Sequence, residues 1–179
     1  MTDYKKLGSE SGASQDEFEL WQMLEVVRQL KPKKILEIGV HTGQGLKAFG
    51  DAFPDAKLYG LEIDTQHLTF KDFELIEGDS SQPSIIEQVR SFGPFDFIFI
   101  DGDHVYEAVK NDWENYHTMV RPGGAIGFHD TSRMGEGWMS KVEVRKLLDE
   151  LWASNSYPSV ELFNGRENPG VAILWPFGY

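Results

Sequence analysis

The sequence predicts a doubly wound α/β domain: a mostly parallel, seven-stranded sheet with one antiparallel strand at the C-terminal end. Three observations predict it. Short apolar runs alternate with stretches of helical periodicity along most of the chain. The run Phe97-Ile-Phe-Ile100 is apolar at successive positions, as expected of a strand covered by helices on both faces. The last two strand-like runs follow each other with no helix between them and should pair as an antiparallel hairpin.

The elements can be justified in order. Residues 1–14 are rich in small polar side chains and read as a flexible arm, leaving 15–179 as a single domain. Ser14-Gln-Asp-Glu17 has the spacing of a capping box, in which Ser14 accepts from the Glu17 N–H and Glu17 reaches back. Leu20, Met23, Leu24, Val27 and Leu30 then recur at helical spacing until Pro32. Lys34 to Ile38 is the first strand, and the glycine-rich stretch Gly39 to Gly45 opens a helix bearing Leu46, Phe49 and Phe53. Leu58 to Ile63 and Phe73 to Glu77 are the next strands, and the overall alternation reads βαβαβαβαβαββ. Pro83 suits the first turn of a helix that presents Ile86, Val89 and Phe92. After the strand Phe97–Ile100, a helix carries Tyr106, Val109, Trp113 and Tyr116. Arg121-Pro-Gly-Gly124 is a turn into the strand Ala125–Phe128. Val144, Leu147, Leu148 and Leu151 mark the last helix, and Val160–Phe163 and Val171–Trp175 the final strands.

Composition narrows the function classes. Seventeen basic residues against 29 acidic ones give a net charge of −12, which disfavours a nucleic-acid partner. The chain has no cysteine, so disulfides, thiolate metal sites and cysteine nucleophiles are excluded. No apolar run approaches the roughly 20 residues that span a bilayer. The first residues carry no apolar segment of the kind a secretory signal needs. The expectation is a cytoplasmic protein acting on a small molecule, with no membrane partner.

In an open α/β sheet, ligands bind beyond the carboxyl ends of the strands. After the first strand stands Glu37-Ile-Gly39-Val-His41-Thr42-Gly43-Gln-Gly45, a glycine turn leading into a helix N-terminus. Its spacing differs from the G-x-G-x-x-G of a dinucleotide site, which counts against a nicotinamide-dependent oxidoreductase. Glu62-Ile63-Asp64 ends the second strand, where a carboxylate can receive the two hydroxyls of a ribose. Glu77-Gly-Asp79-Ser80 ends the third and could read an adenine edge or form an ordinary Asx turn. Asp101-Gly-Asp103-His104 and His129-Asp130 end the fourth and fifth, so three carboxylates and two imidazoles gather at one rim. Such a group is costly unless a cation or protons neutralise it, and these donors suit a divalent ion; helix caps and turn residues are the alternative. His41, His67 and His117 read from their surroundings as surface or packing residues.

With these motifs together, the chain resembles the class I S-adenosylmethionine-dependent methyltransferases over about residues 15–175. The segment 95–104, with Arg121-Pro-Gly-Gly124 and Phe128-His-Asp130, is similar to a subgroup of small enzymes near cephalosporin hydroxylase-like proteins and sugar O-methyltransferases. The resemblance implies a Rossmann-like methyltransferase fold and S-adenosylmethionine as cofactor. It assigns Glu37, Gly39, His41, Thr42 and Gly43 to the methionine part, Glu62 with Ile63 to the ribose, Asp79 and Ser80 to the adenine, and Asp101 to the cofactor end of the fourth strand. From the metal-dependent relatives it implies Mg²⁺ or another divalent ion on Asp101, His129 and Asp130. His129 stands where those relatives carry a carboxylate, which favours a softer ion. Their catalytic lysine has no close counterpart here, and His104 is the candidate base, so the catalytic set is His104, Asp101 and Asp130.

The expected reaction is methyl transfer to a hydroxyl oxygen of a small-molecule acceptor. The rival readings are transfer to an amine nitrogen and a non-catalytic module that binds the same cofactor. The arm and the stretch Thr131–Trp138, with Arg133, Met134 and Trp138, are the candidate covers of the site, which a second subunit of a homo-oligomer could also complete.

Overall fold

Every position of the strand Phe95–Ile100 is buried, which places it inside a sheet covered on both sides. The computed structural model describes residues 16–132, 142–154, 157–163 and 170–178. Among them are the strands β1 (Lys34–Ile38), β2 (Lys57–Glu62), β3 (Glu74–Glu77), β4 (Phe95–Ile100), β5 (Val120–His129), β6 (Ser159–Leu162) and β7 (Val171–Leu174). The helices are α1 (Glu17–Gln29), α2 (Gln44–Ala52), α3 (Pro83–Phe92), α4 (Tyr106–Tyr116) and α5 (Val144–Ser154). The sheet order is β3-β2-β1-β4-β5-β7-β6; β1 to β5 pair in parallel, and β7 runs antiparallel to both of its neighbours. The expected doubly wound sheet with one reversed strand is therefore present.

Side-chain alternation along the strands divides the core in two. Leu36, Ile38, Ile98, Ile100, Ile126 and Phe128 face α3, α4 and α5, packing with Val89, Trp113, Tyr116 and Leu148. Ile35, Phe97, Phe99, Ala125 and Ile173 face the other way, against Leu20, Met23, Leu24 and Val27 of α1 and Leu46 and Phe49 of α2. Period-two side chains on a strand covered on both faces give this result directly.

Three expectations need correction. The N-cap of α1 is Asp16, whose Oδ1 accepts from the N–H groups of Phe18 at 3.0 Å and Glu19 at 3.2 Å. Glu17 is thus the first helical residue rather than the third, and Ser14 lies outside the described residues. Between β2 and β3 the alternation lapses, because the chain makes only a 3₁₀ turn, Thr65–His67. The segment Arg121-Pro-Gly-Gly124 belongs to β5: Phe95 pairs with Val120 and Phe97 with Ala125, so the turn bulges out of a strand that starts earlier.

Asp96 fixes that bulge and the start of the sheet together. Its Oδ2 accepts from the N–H groups of Lys33 at 2.7 Å and Lys34 at 2.8 Å, and its Oδ1 accepts from Arg121 Nε. Arg121 in turn donates to the Leu30 carbonyl at 3.0 Å, at the end of α1. Replacing Asp96 by Ala leaves two backbone donors and a guanidinium without their acceptor. We expect a loss of about 2–4 kcal/mol, measured as a lowered urea midpoint with an unchanged far-UV spectrum, and a smaller loss in Asp96→Asn.

Candidate functional site

A cleft of about 1110 Å³ lies at the carboxyl ends of β1, β2, β3, β4 and β5, with the first half of α4 as a side wall. Its floor is set by a close backbone approach. The Asp101 N–H donates to the Ile38 carbonyl at 2.8 Å, and the Gly39 N–H to Leu61 at 2.9 Å. Gly39 has φ +86°, and a Cβ there would lie 2.4 Å from the Asp101 carbonyl oxygen, so only glycine fits. A Cβ at Gly45 would lie 2.3 Å from Glu37 Oε1, so the second glycine makes room for the carboxyl against the first turn of α2. Burial pushes the Glu37 carboxyl well above the usual carboxylate range; Asp101 and Glu62 add to that, and the Leu46 N–H opposes it.

Glu62 holds the next stretch of the cleft in shape. Its Oε2 accepts from the His41 N–H at 2.7 Å and its Oε1 from the Asp64 N–H at 2.9 Å. The first bond keeps His41 in the left-handed region, at φ +50°. His41 and Thr42 line the cleft; Thr42 also accepts through its carbonyl from Thr69 and Phe70. Ile63 lines the cleft with 68% of its surface exposed, an unusual degree for an isoleucine beside a cavity. Gly43 is set back from the cleft surface. It is the buried N-cap of α2, and a Cβ there would lie 2.6 Å from the Phe70 carbonyl oxygen. Its glycine serves the turn, and it is absent from the cleft lining.

Asp79 and Ser80 line the cleft at the end of β3. Asp79 forms the Asx turn: Oδ1 accepts from the Ser81 N–H at 2.8 Å and Ser81 Oγ at 2.7 Å, which holds its carboxyl below the usual range. The Ser80 carbonyl accepts from Tyr116 Oη at 2.8 Å, tying this turn to α4.

The charged rim forms as expected, with a different internal arrangement. Asp101 Oδ1 lies 2.9 Å from His129 Nδ1, Asp130 Oδ1 lies 3.5 Å from the same nitrogen, and Asp130 Oδ2 lies 3.2 Å from His104 Nδ1. Burial alone would lower the His129 pKa, but Asp101, Asp130 and Glu19 outweigh it and bring it to about 9. Burial raises the Asp130 carboxyl, with His129 and His104 opposing. His129 Nδ1 is thus directed at the Asp101 carboxylate, to which a proton on that nitrogen is donated. Among the described residues no three His, Asp or Glu side chains converge to hold a metal ion. The expected set of Asp101, His129 and Asp130 comes together at the rim, and two of its members are carboxylates. Those two fit a divalent ion by donor chemistry, and the buried Asp130 Oδ1, which accepts no hydrogen bond among the described residues and lies 3.5 Å from His129 Nδ1, is an oxygen such an ion would satisfy.

Asp112 of α4 also lines the cleft and carried no motif in the sequence. It is buried, and Oδ1 has no hydrogen-bond partner among the described residues. Burial pushes its carboxyl from 3.8 up to about 6, against the Ser80 side chain that hydrogen-bonds to it, with Asp79 and Asp103 adding to the rise. Its helical spacing with Val109, Trp113 and Tyr116 is the signal that places it on the inward face of α4. The arm 1–14 and the cover residues Arg133, Met134 and Trp138 lie outside the described residues, and no described helix is long and apolar enough to cross a membrane.

Comparison with known proteins places this geometry. Residues 36–131 match the family model described as a methyltransferase domain. The mycinamicin VI 2''-O-methyltransferase of Micromonospora griseorubida is 32% identical over 106 residues, 54% of this chain and 27% of its own. The demethylmacrocin O-methyltransferase of Streptomyces fradiae is 30% identical over 154 residues, 81% of this chain and 33% of its own. Caffeoyl-CoA O-methyltransferase 5 of Nicotiana tabacum is 29% identical over 136 residues, 66% of this chain and 53% of its own. The chain thus spans between about a quarter and about half the length of these relatives. Among solved structures, the MycE methyltransferase with Mg, S-adenosylhomocysteine and mycinamycin VI superposes with a TM-score of 0.71 at 23% identity, over 97% of this chain and 54% of that one. The O-methyltransferase TomG of Streptomyces achromogenes, in complex with S-adenosylmethionine, gives 0.68 at 14% identity, over 98% and 90%. At these identities the structural likeness establishes the fold.

The raised Asp112 pKa fixes the sign of a pH effect. Unfolded, this carboxyl loses its proton near pH 4; folded, near pH 6. The folded chain therefore binds the extra proton in that window, and stability falls as pH rises through it and levels off above. Asp112→Asn abolishes this contribution. Between pH 4 and pH 7 the variant should lose less stability than the parent, by at most roughly 3 kcal/mol, read from urea unfolding at the two pH values.

Proposed function

The chain belongs to the methyltransferase domain family, and from that premise we propose that it transfers a methyl group from S-adenosylmethionine to a hydroxyl oxygen of a small-molecule acceptor. One observation carries the reading: a single cleft joins the Gly39 turn and Glu62 to a His104–Asp130 pair at its rim. We take residues 15–179 as one domain working in the cytoplasm, with 1–14 as an arm.

In this reading Gly39, His41 and Thr42 border the methionine part of the cofactor, and Glu62 receives the ribose hydroxyls. Each Glu62 oxygen accepts one backbone N–H and has a lone pair left for a hydroxyl. The acceptor oxygen attacks the methyl carbon in line with the sulfur. The C–S bond breaks, the sulfonium becomes a neutral thioether, and S-adenosylhomocysteine remains. Holding the three atoms in line is worth up to roughly 7–11 kcal/mol. His104 is suited to take the hydroxyl proton: Nδ1 faces Asp130, which leaves Nε2 as the basic nitrogen, and its side chain is 32% exposed. Asp130, locked at φ +56°, holds that tautomer. A divalent ion, when bound, supplies Lewis-acid polarisation of the acceptor oxygen, and Asp101 with Asp130 would hold it.

Calorimetric titration with S-adenosylhomocysteine tests the reading, and an absence of binding overturns it. Glu62→Ala should weaken that binding by about 1–3 kcal/mol. His104→Ala should leave it within about threefold of the parent while lowering turnover of a hydroxylated acceptor by about 10²–10⁴-fold.

A further inference from the structure

We propose that Glu143 is the positioning residue of His104, fastening the backbone beside the candidate base so that its ring keeps one placement against Asp130. The inference rests on the methyl-transfer reading above and adds to it the residue that fixes the base.

The start of α4 lacks a cap of its own, and Glu143 supplies one. The residue before the helix is Val105, whose side chain cannot accept a hydrogen bond from the first N–H groups. The Tyr106 N–H instead donates to Glu143 Oε2 at 3.0 Å. That carboxylate belongs to the residue immediately before α5, and negative charge is favoured at a helix N-terminus. Short side chains are the preferred caps of their own helix, whereas a glutamate is long enough to serve a neighbouring one.

Glu143 also uses its main chain. Its N–H donates to the His104 carbonyl at 2.8 Å, and its carbonyl accepts from the Lys146 N–H of α5 at 3.0 Å. The two bonds toward α4 flank Val105, so one residue grips both sides of the link between His104 and the helix. The Val105 N–H donates to Asp103 Oδ1 at 3.1 Å, and the Val105 carbonyl accepts from Val109 at 3.1 Å. Every polar backbone group from the His104 carbonyl to the Tyr106 N–H is thus bonded.

The ring is held separately, with Nδ1 3.2 Å from Asp130 Oδ2. Asp130 follows β5 and Glu143 precedes α5, so the base is fastened from both ends of one connection. Its ring is held at the first end and its backbone at the second. A hydrogen bond weakens steeply as its angle closes, so the Nδ1 contact lasts only while the backbone behind it stays in place. Glu150 offers a contrast within α5. It accepts from Tyr106 Oη, which ties the two helices without touching the backbone beside His104.

The ring nitrogens of His104 report its placement. Nitrogen-15 spectra of the full chain at about pH 8.5, where an ordinary imidazole is neutral, give the ratio of the two tautomers. The His104 signals are assigned by their loss in His104→Ala. The parent should favour the Nδ1–H tautomer by about tenfold or more, the scale of a hydrogen bond to a charged group. Glu143→Ala should cut that ratio by about threefold or more. Glu143→Gln keeps an acceptor for the Tyr106 N–H and should match the parent. Glu150→Ala, which loosens the same two helices, should also match it. Glu143 is exposed, and thermal melts should show every variant folded. A parent without the preference, a ratio unmoved in Glu143→Ala, or one moved equally in Glu143→Gln or Glu150→Ala overturns the positioning role while the methyl-transfer reading stands. A parent that binds no S-adenosylhomocysteine by calorimetry overturns that reading, and the tautomer ratio still decides the role of Glu143.

Discussion

Where β1 and β4 end, their backbones approach too closely for any side chain, and the rest of the site depends on that contact. The hydrogen bond from Asp101 to Ile38 draws the two strand ends together, and Gly39 turns away at a φ that other residues adopt only with strain. The loops leaving the sheet must then part, one toward α2 and the other toward α4, and the cleft is the space between them. Glu37 and Asp101 are brought under its floor by register alone, because Glu37 pairs with Phe99 and Ile38 with Ile100.

That closeness has an electrostatic cost, which the rim settles within the protein. Asp101 and Asp130 share the proton-bearing face of one imidazole, and Asp130 turns its second oxygen to His104. His129 thus supplies positive charge between the two carboxylates. Glu37 and Asp112 have no such partner and hold their protons more tightly instead, since burial penalises the charged form. The site therefore stores its acidity in two ways: by pairing at the rim and by burial below it.

Much of this was legible in the sequence because strand ends, glycine turns and carboxylates leave local marks. The seven strands, the one reversed strand at the C-terminal end and the rim formed by Asp101, His104, His129 and Asp130 all follow from runs of a few residues. What escaped depends on distance in the chain. Asp96 reads as one acid in an apolar strand, and its partners Lys33, Lys34 and Arg121 come together only through sheet pairing. Asp112 sits among helix-face residues, and its exposure to a cavity is decided by what α4 packs on. Gly43 fits the glycine motif, yet it is set against Phe70, a contact made by the loop after β2. The residue list also fixes which donors gather at the rim, whereas the pairing of His129 Nδ1 with Asp101 depends on how the ring is turned.

The reversed strand β7 has a consequence for how the molecule is made. Its first residue, Val171, pairs with His129, the rim histidine itself. A chain emerging from the ribosome can assemble β1 to β5 and their helices, yet the edge that holds His129 stays open until residues 171–174 have been synthesised. Domains form as units during synthesis, and an unpaired strand edge is an invitation to wrong partners in the interval. Until that downstream segment pairs with β5, the charged rim at His129 stays unfinished.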